Sequence, residues 1–249
     1  MQDAPPRHRL FVEAALSAHA EIELGEQQAH YLIHVMRLGI GAEVALFNGR
    51  DGEWRSRITE TGKRKVRLKA THCLRPQEPE PDLWLLFAPV KRARIDLIVE
   101  KATELGVSRL QPVFTERTVM SRVGDDRLRA IAIEAAEQCE RLTVPELAPA
   151  CPLWTAFKDW PEERPLLLLD ESGAGRPIAE VLAAMSPGPA ALLIGPEGGF
   201  AESELDGLGR LAFSTRVGMG RRILRADTAV IAALACFQAI CGDWRRSPQ

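Results

Sequence analysis

The chain has 249 residues, 46% of them hydrophobic and 27% charged, and a net charge of −2. That is ordinary for a globular enzyme of one or two domains, and it excludes a disordered, collagen-like or coiled-coil chain. The longest apolar runs, 229–237 and 83–90, fall far short of the roughly 20 residues a membrane span needs. The first residues, MQDAPPRHRLFVEAAL, place charges inside their apolar stretch, so no secretory leader is expected and the expected compartment is the cytoplasm.

In chain order, residues 1–73 read as a small β-barrel. A helix is expected at 27–36. Strands are expected at 42–47, 53–59 and 65–70, with Asn48-Gly49 and Asp51-Gly52 as turn signals. Residues 74–82, with three prolines, read as a linker. Residues 83–249 then alternate strands and helices, which implies a mostly parallel sheet covered by helices. Strands are expected at 83–90, 107–114, 166–170, 190–194 and 215–217. Helices are expected at 92–105, 126–142, 203–211 and 227–241. The last of these is apolar almost all round, so it packs in a core or across a dimer interface.

Charge is unevenly placed. Residues 1–75 hold 12 Lys/Arg against 9 Asp/Glu, whereas residues 76–249 hold 20 against 25. Between 54 and 75 the acidic residue Glu60 stands alone against eight cations. In KRKVRLK (63–69) Val66 and Leu68 alternate with Lys65, Arg67 and Lys69. Such a strand lays cations along a phosphate backbone, or it is a solvated edge protected by lysines.

The five cysteines form no C-x-x-C pair, so neither a disulfide framework nor a zinc site is expected. All five histidines lie in the first 72 residues. A Ser-His-Asp triad or a histidine-ligated metal within the last two thirds of one subunit is therefore excluded. Three glycine-bearing loops follow strand candidates there: LDESG (169–173), GPEGGF (195–200) and GMGRRILR (218–225). Open α/β sheets bind ligands beyond the carboxyl ends of their strands, where glycine lets backbone approach closely. None of the three is a phosphate loop or a dinucleotide fingerprint, which disfavours those nucleotides.

Five segments carry a specific resemblance: HVMRLGIG (34–41), EKATELGV (100–107), EAAEQCERLTVP (134–145), IGPEGGFAESE (194–204) and GMGRRILRADTA (218–229). Together they resemble the small-subunit (16S) ribosomal RNA uridine-N3 methyltransferases, within the SPOUT class of knotted, S-adenosyl-L-methionine-dependent enzymes. The resemblance implies an α/β fold with an N-terminal PUA-like β-barrel for RNA and a C-terminal SPOUT domain, at 83–249, with a deep trefoil knot and a parallel sheet. It also implies a homodimer and a substrate of small-subunit ribosomal RNA, in an assembled or partly assembled subunit, with no metal and no membrane. Two positions depart from the family: Ala201 stands where Ser or Thr usually caps a helix, and Asp227 where Glu is usual.

The resemblance assigns the site. Uridine N3 must lose a proton, and the charge then spreads onto O2 and O4, so a base and a cation are wanted nearby. Arg225 is implied as the catalytic cation and Asp227 as a base; a plain Arg225–Asp227 salt bridge is the alternative. Leu169, Ile194, Gly195, Glu197, Gly198, Gly199, Val217, Gly218, Met219, Gly220, Ile223 and Leu224 are implied to bind the cofactor, although the apolar members would serve equally as core. Arg7, Arg9, Arg37, Lys63, Lys65 and Arg67 are the RNA candidates of the barrel. Glu134, Gln138 and Arg141 are expected on one helix face towards RNA or a partner. Competing expectations are methylation of a ribose 2′-hydroxyl and a non-enzymatic RNA-binding or ribosome-assembly factor.

Overall fold

A computed structural model describes residues 4–62 and 64–245. The chain divides into two compact units: Met1–Pro79 with Ala136–Val144, and Glu80–Ala135 with Pro145–Gln249.

The first unit is built on one five-stranded sheet. Its strands are β1 (Arg9–Phe11), β2 (Glu21–Leu24), β3 (Glu43–Phe47), β4 (Glu53–Thr61) and β5 (Val66–Arg75), in the order β1-β3-β4-β5-β2. β1 runs parallel to β3 and the other pairs are antiparallel. The period-2 alternation of β2 and β5 turns Ile22, Leu24, Val66, Leu68 and Ala70 into the core and Arg67 and Lys69 outward. Gly52, at φ 80°, sits in the turn before β4, where a Cβ would lie 2.3 Å from the Arg75 carbonyl oxygen. Only glycine fits there.

Two helices differ from expectation. The helix expected at 27–36 is α1 (Glu26–His30) followed by a π-helical turn, Tyr31–Val35, closed by Met36 N–H donating to the Tyr31 carbonyl at 3.0 Å. The helix expected at 126–142 is α3 (Asp125–Gln138) and stops four residues early. The reason lies on β1. The Arg9 guanidinium donates to the carbonyls of Ala136 and Glu137, each at 2.9 Å, and to that of Arg141 at 2.9 Å. A cation there satisfies the last-turn carbonyls that a helix leaves open and complements its negative end. Glu140 then turns the chain away at φ 61°.

The second unit holds an eight-stranded parallel sheet. β6 (Leu83–Phe87), β7 (Arg109–Phe114), β8 (Glu146–Leu147), β10 (Leu166–Leu169), β11 (Arg176–Pro177), β12 (Ala190–Ile194) and β13 (Ser214–Gly218) run in the order β11-β13-β10-β12-β6-β7-β8, and β9 (Cys151–Pro152) pairs with β7. β10 and β12 are buried at every residue, which is why they read as unbroken apolar runs. Helix α2 (Arg92–Glu104) buries Ile95, Ile98, Val99 and Ala102, spaced three to four apart, and ends before Gly106 at φ 78°. It packs against α6 (Ala226–Ile240), whose buried Gln238 donates to the Leu105 carbonyl at 2.6 Å and so closes the end of α2. Two further helices, α4 (Ile178–Ala183) and α5 (Glu202–Gly209), complete the unit. The short elements β1, β2, β8, β9, β11 and α4 escape the sequence patterns because two to six residues establish no period.

The amino ends of the parallel strands are stapled. Arg164, just before β10, pairs with Asp82, just before β6, and lies 3.8 Å from the Trp84 ring centroid; Arg109 lies 4.7 Å from the same ring. Among the described residues no helix is long and apolar enough to cross a membrane.

In the first unit Glu53 accepts from Arg9 at 2.5 Å and from Arg75 at 2.7 Å. Burial pushes its carboxyl up, but the Arg75 and Arg9 guanidiniums outweigh burial and hold it below the usual glutamate value. Its stabilisation is therefore present above the unfolded-state pKa of roughly 4.3 and is lost as pH falls through the lower folded value. Glu53→Gln should cost about 3 kcal/mol at pH 7, by denaturant melts, because it leaves buried Arg9 without its counter-ion. The gap from the native chain should narrow below pH ~4. A gap that stays constant from pH 7 to pH 3 would contradict this account.

Candidate active site

Strands β13, β10 and β12 are adjacent and parallel, with Leu169 opposite Val217 and Leu168 opposite Leu193. Their carboxyl ends therefore lie along one edge, and all three glycine loops leave from it. At the end of β12, a Cβ on Gly195 would lie 2.9 Å from the Phe200 ring. Gly199 turns the loop at φ 68°, with its N–H donating to the Pro196 carbonyl at 2.9 Å. At the next strand, a Cβ on Gly175 would lie 2.5 Å from the Val217 carbonyl carbon, and one on Gly218 would lie 3.2 Å from the Gly175 carbonyl oxygen. The backbone just before β11 thus lies directly against the end of β13, and no side chain fits between them.

The assigned cofactor residues fall into three groups. Leu169, Ile194 and Val217 have buried side chains that belong to the core, and the carbonyls of Ile194 and Val217 already accept from the Ala88 and Asp170 N–H groups. Gly195, Gly198, Gly199, Gly218, Met219, Gly220 and Leu224 lie on the loops themselves. Ile223 does not form an enclosed slot here, since its side chain is 80% exposed. Glu197 is engaged by Arg94, with Nη1 3.5 Å from Oε1.

Arg225 is the exposed residue immediately before α6, and among the described residues it makes no ion pair. The alternative Arg225–Asp227 bridge is not formed. Asp227 instead accepts from the Thr228 N–H at 2.9 Å, a short local turn.

Several residues were missed. Asp170 is buried at the end of β10. Its Oδ1 accepts from the Ser172 N–H at 2.8 Å, its Oδ2 has no hydrogen-bond partner, and the Arg216 guanidinium lies 3.8 Å away. Asp170 Oδ2 is thus fully buried, and its charge is balanced by the Arg216 guanidinium rather than by a hydrogen bond. Glu171 places Oε1 where a Cβ on Gly199 would lie 2.2 Å away. Both sit inside LDESG, so the loop was visible but the direction of its carboxylates was not. Glu204 accepts from the Ala201 N–H at 2.9 Å, the surviving half of a capping box, and from the Glu116 N–H at 2.8 Å. Arg117 donates to the Gly198 carbonyl at 2.9 Å. The link from residue 117 to residue 198 has no local sequence signal. A cleft beside Glu204 is lined by Phe114, Glu116, Trp154 and Ser203.

The RNA candidates of the first unit also sort. Arg9 is not free for RNA: its side chain is 8% exposed, it pairs with Glu53, and its donors close α3. Lys65 and Arg67 are exposed, but both pair with Glu23 of β2, and Arg67 also meets Glu60. The Lys65 ammonium and then the Arg67 guanidinium hold the Glu23 carboxyl below its usual value. The expectation that Glu60 alone faces these cations missed β2, which lies opposite them only after folding. Arg7 is exposed, and so is Arg37, at φ 55°. Lys63 lies outside the described residues. Glu134 and Gln138 are exposed on α3, whereas Arg141 lies beyond its end and donates to Thr143 at 2.9 Å, so the three do not share a helix face. Among the described residues no cluster of three or more His, Cys, Asp or Glu could hold a metal.

Comparison with known proteins places this geometry. Residues 77–238 match the RNA methyltransferase domain family, and residues 24–71 match the RNA methyltransferase PUA domain. The chain is 30% identical to the ribosomal RNA small subunit methyltransferase E of Rickettsia conorii, over 92% of this chain and 93% of that one. The chain belongs to the family of ribosomal RNA small subunit methyltransferases E. The Synechocystis member is 31% identical, over 94% of this chain and 78% of its own. Among solved structures, the family member from Neisseria gonorrhoeae, bound to S-adenosyl methionine, aligns with a TM-score of 0.86 at 27% identity, covering 97% of this chain and all of its own. A methyltransferase from Legionella pneumophila, in complex with the cofactor SAM, aligns with a TM-score of 0.84 at 28% identity over 94% of this chain and 98% of its own.

The backbone contact at Gly175 gives a direct test. Gly175→Ala should cost about 2 kcal/mol, the range for forcing atoms into a packed site, and lower the melting temperature by several degrees. Gly188→Ala, with open space around it, should leave the melt unchanged. Equal melts for both variants would contradict the close approach.

Proposed function

We propose that the chain transfers a methyl group from S-adenosyl-L-methionine to N3 of a uridine in small-subunit ribosomal RNA. The observation that carries this reading is the row of three glycine loops on adjacent parallel strands. The residues there suit the cofactor: at Gly173 and Gly220 open space stands where a side chain would be, so a ligand can approach the main chain closely. When bound, S-adenosyl-L-methionine supplies a methyl group activated on a sulfonium.

The chain's own work is to position and to handle charge. Main-chain groups of Leu169, Ile194, Val217 and Met219, with the glycines around them, hold the cofactor, and half-buried Leu224 offers it apolar surface. Arg225, exposed and without an ion pair among the described residues, stabilises the charge that appears on O2 and O4 when N3 is deprotonated. Asp227, half-buried two residues on, is the proposed proton acceptor. Its shorter side chain, relative to glutamate, calls for a closer approach or a bridging water.

In the first unit, Arg7, Arg37, Lys63, Lys65 and Arg67 contact the RNA backbone, Lys65 and Arg67 by exchanging Glu23 for phosphate. Glu134, Gln138 and Arg141 contact RNA or a partner copy. The chain forms a homodimer through α6, where Ile231, Ala232, Ala235 and Cys236 are half-buried and Ala239 is exposed on an otherwise apolar helix. A deep trefoil knot in the second unit and a cytoplasmic place of action complete the proposal.

Tritium-labelled methyl transfer to small-subunit RNA, followed by nucleoside digestion, tests the reaction. It should yield N3-methyluridine, and Arg225→Ala should lower kcat roughly a hundredfold or more. A 2′-O-methyl product, or no product from RNA and assembled subunits alike, would contradict the proposal. Light scattering should return a dimer at micromolar concentration; a monomer would contradict the proposed homodimer.

A further inference from the structure

GPEGGF exposes Glu197 and Gly198 and buries Pro196, Gly199 and Phe200, and it must keep one shape if it is to receive a cofactor. Its own turn supplies one hydrogen bond, Gly199 N–H to the Pro196 carbonyl. Two further contacts come from the segment that follows β7. Arg117 donates to the Gly198 carbonyl at 2.9 Å, and a Cβ on Gly198 would lie 3.7 Å from the Arg117 side chain. Glu204, 6% exposed, divides its oxygens: Oε2 takes the Ala201 N–H just past the loop, and Oε1 takes the Glu116 N–H beside Arg117. Arg117 thus holds the loop directly at Gly198, and Glu204 ties Ala201, just past the loop, to the neighbouring Glu116. All three bonds involve an ionised partner, the stronger class of hydrogen bond.

We infer that Arg117 and Glu204 are positioning residues of the methyl-transfer site, forming a two-point clasp that fixes GPEGGF for the cofactor. This rests on the functional reading above. Neither residue touches reacting atoms. Glu204 suits the task because both its oxygens accept from N–H groups. A glutamine there keeps the shape but turns an N–H₂ towards an N–H, so one bond is lost and two donors face each other. Arg117 is exposed, so its removal leaves the core intact.

The test titrates S-adenosyl-L-methionine into the full-length protein and its Arg117→Ala, Arg117→Lys and Glu204→Gln variants. Hydrogen exchange of the residue 198–201 amides is followed in the free proteins. The clasp predicts roughly tenfold weaker cofactor binding in Arg117→Ala and in Glu204→Gln, partial recovery in Arg117→Lys, and an unchanged KM for RNA. It also predicts faster exchange of those amides. Combining Arg117→Ala with Glu204→Gln should weaken binding less than the product of the two single effects, since both act on one loop. Native affinity and native exchange in both single variants would overturn the clasp. Wild-type protein that takes up no cofactor would instead overturn the functional reading, and the exchange data would still decide the clasp.

Discussion

The parallel pairing of β10 between β12 and β13 is the constraint on which the site depends. In-register parallel strands end together, so the chain is delivered three times to one edge of the sheet, each time entering a glycine loop. Slipping the β10–β13 register by one residue would carry Gly218 past Pro177 and break the Gly175 contact. Full burial of β10 and β12 makes such a slip costly, since each displaced leucine forfeits about 2 kcal/mol. The amino ends are tied by the Arg164–Asp82 pair and the guanidiniums beside Trp84, which leaves the carboxyl edge as the place where loops are free to diverge.

Charge is handled differently in the two units. In the first, Glu53 and Glu23 gather arginines and a lysine into pairs, so much of its apparent basic surplus is already compensated. An RNA backbone docking on β5, as proposed, would exchange partners with Glu23 instead of meeting bare cations, and the contact would be salt-sensitive. In the second unit the cations stand near the loops: Arg94 at Glu197, Arg117 at Gly198, Arg216 near Asp170. There they hold backbone and carboxylates in place, which a positioning enzyme requires more than covalent chemistry.

Long-period features could be seen in the sequence. The buried strands, the apolar spacing of α2 and α6, and the three glycine loops all followed from runs, periods and turn residues. Contacts between distant residues could not. Arg9 looks like a free cation near the N-terminus, and nothing local shows that it closes a helix some 130 residues later. The same capture explains why α3 ends at Gln138, so one long-range contact corrects two expectations. Glu23 neutralises β5 only because β2 pairs with it across the sheet. Glu204 showed as half a capping box, yet its second bond, to Glu116, crosses 88 residues. Ile223 read as pocket lining from its place in GMGRRILR, whereas its exposure follows from a loop that no pattern specifies.

A crystal structure with S-adenosyl-L-methionine tests the central claim most directly. The account predicts the cofactor at the carboxyl edge of β13, β10 and β12, with its atoms against the main chain of Gly195–Gly199 and Gly218–Gly220. Cofactor seated in the cleft beside Trp154, or anywhere away from those three strand ends, would contradict it.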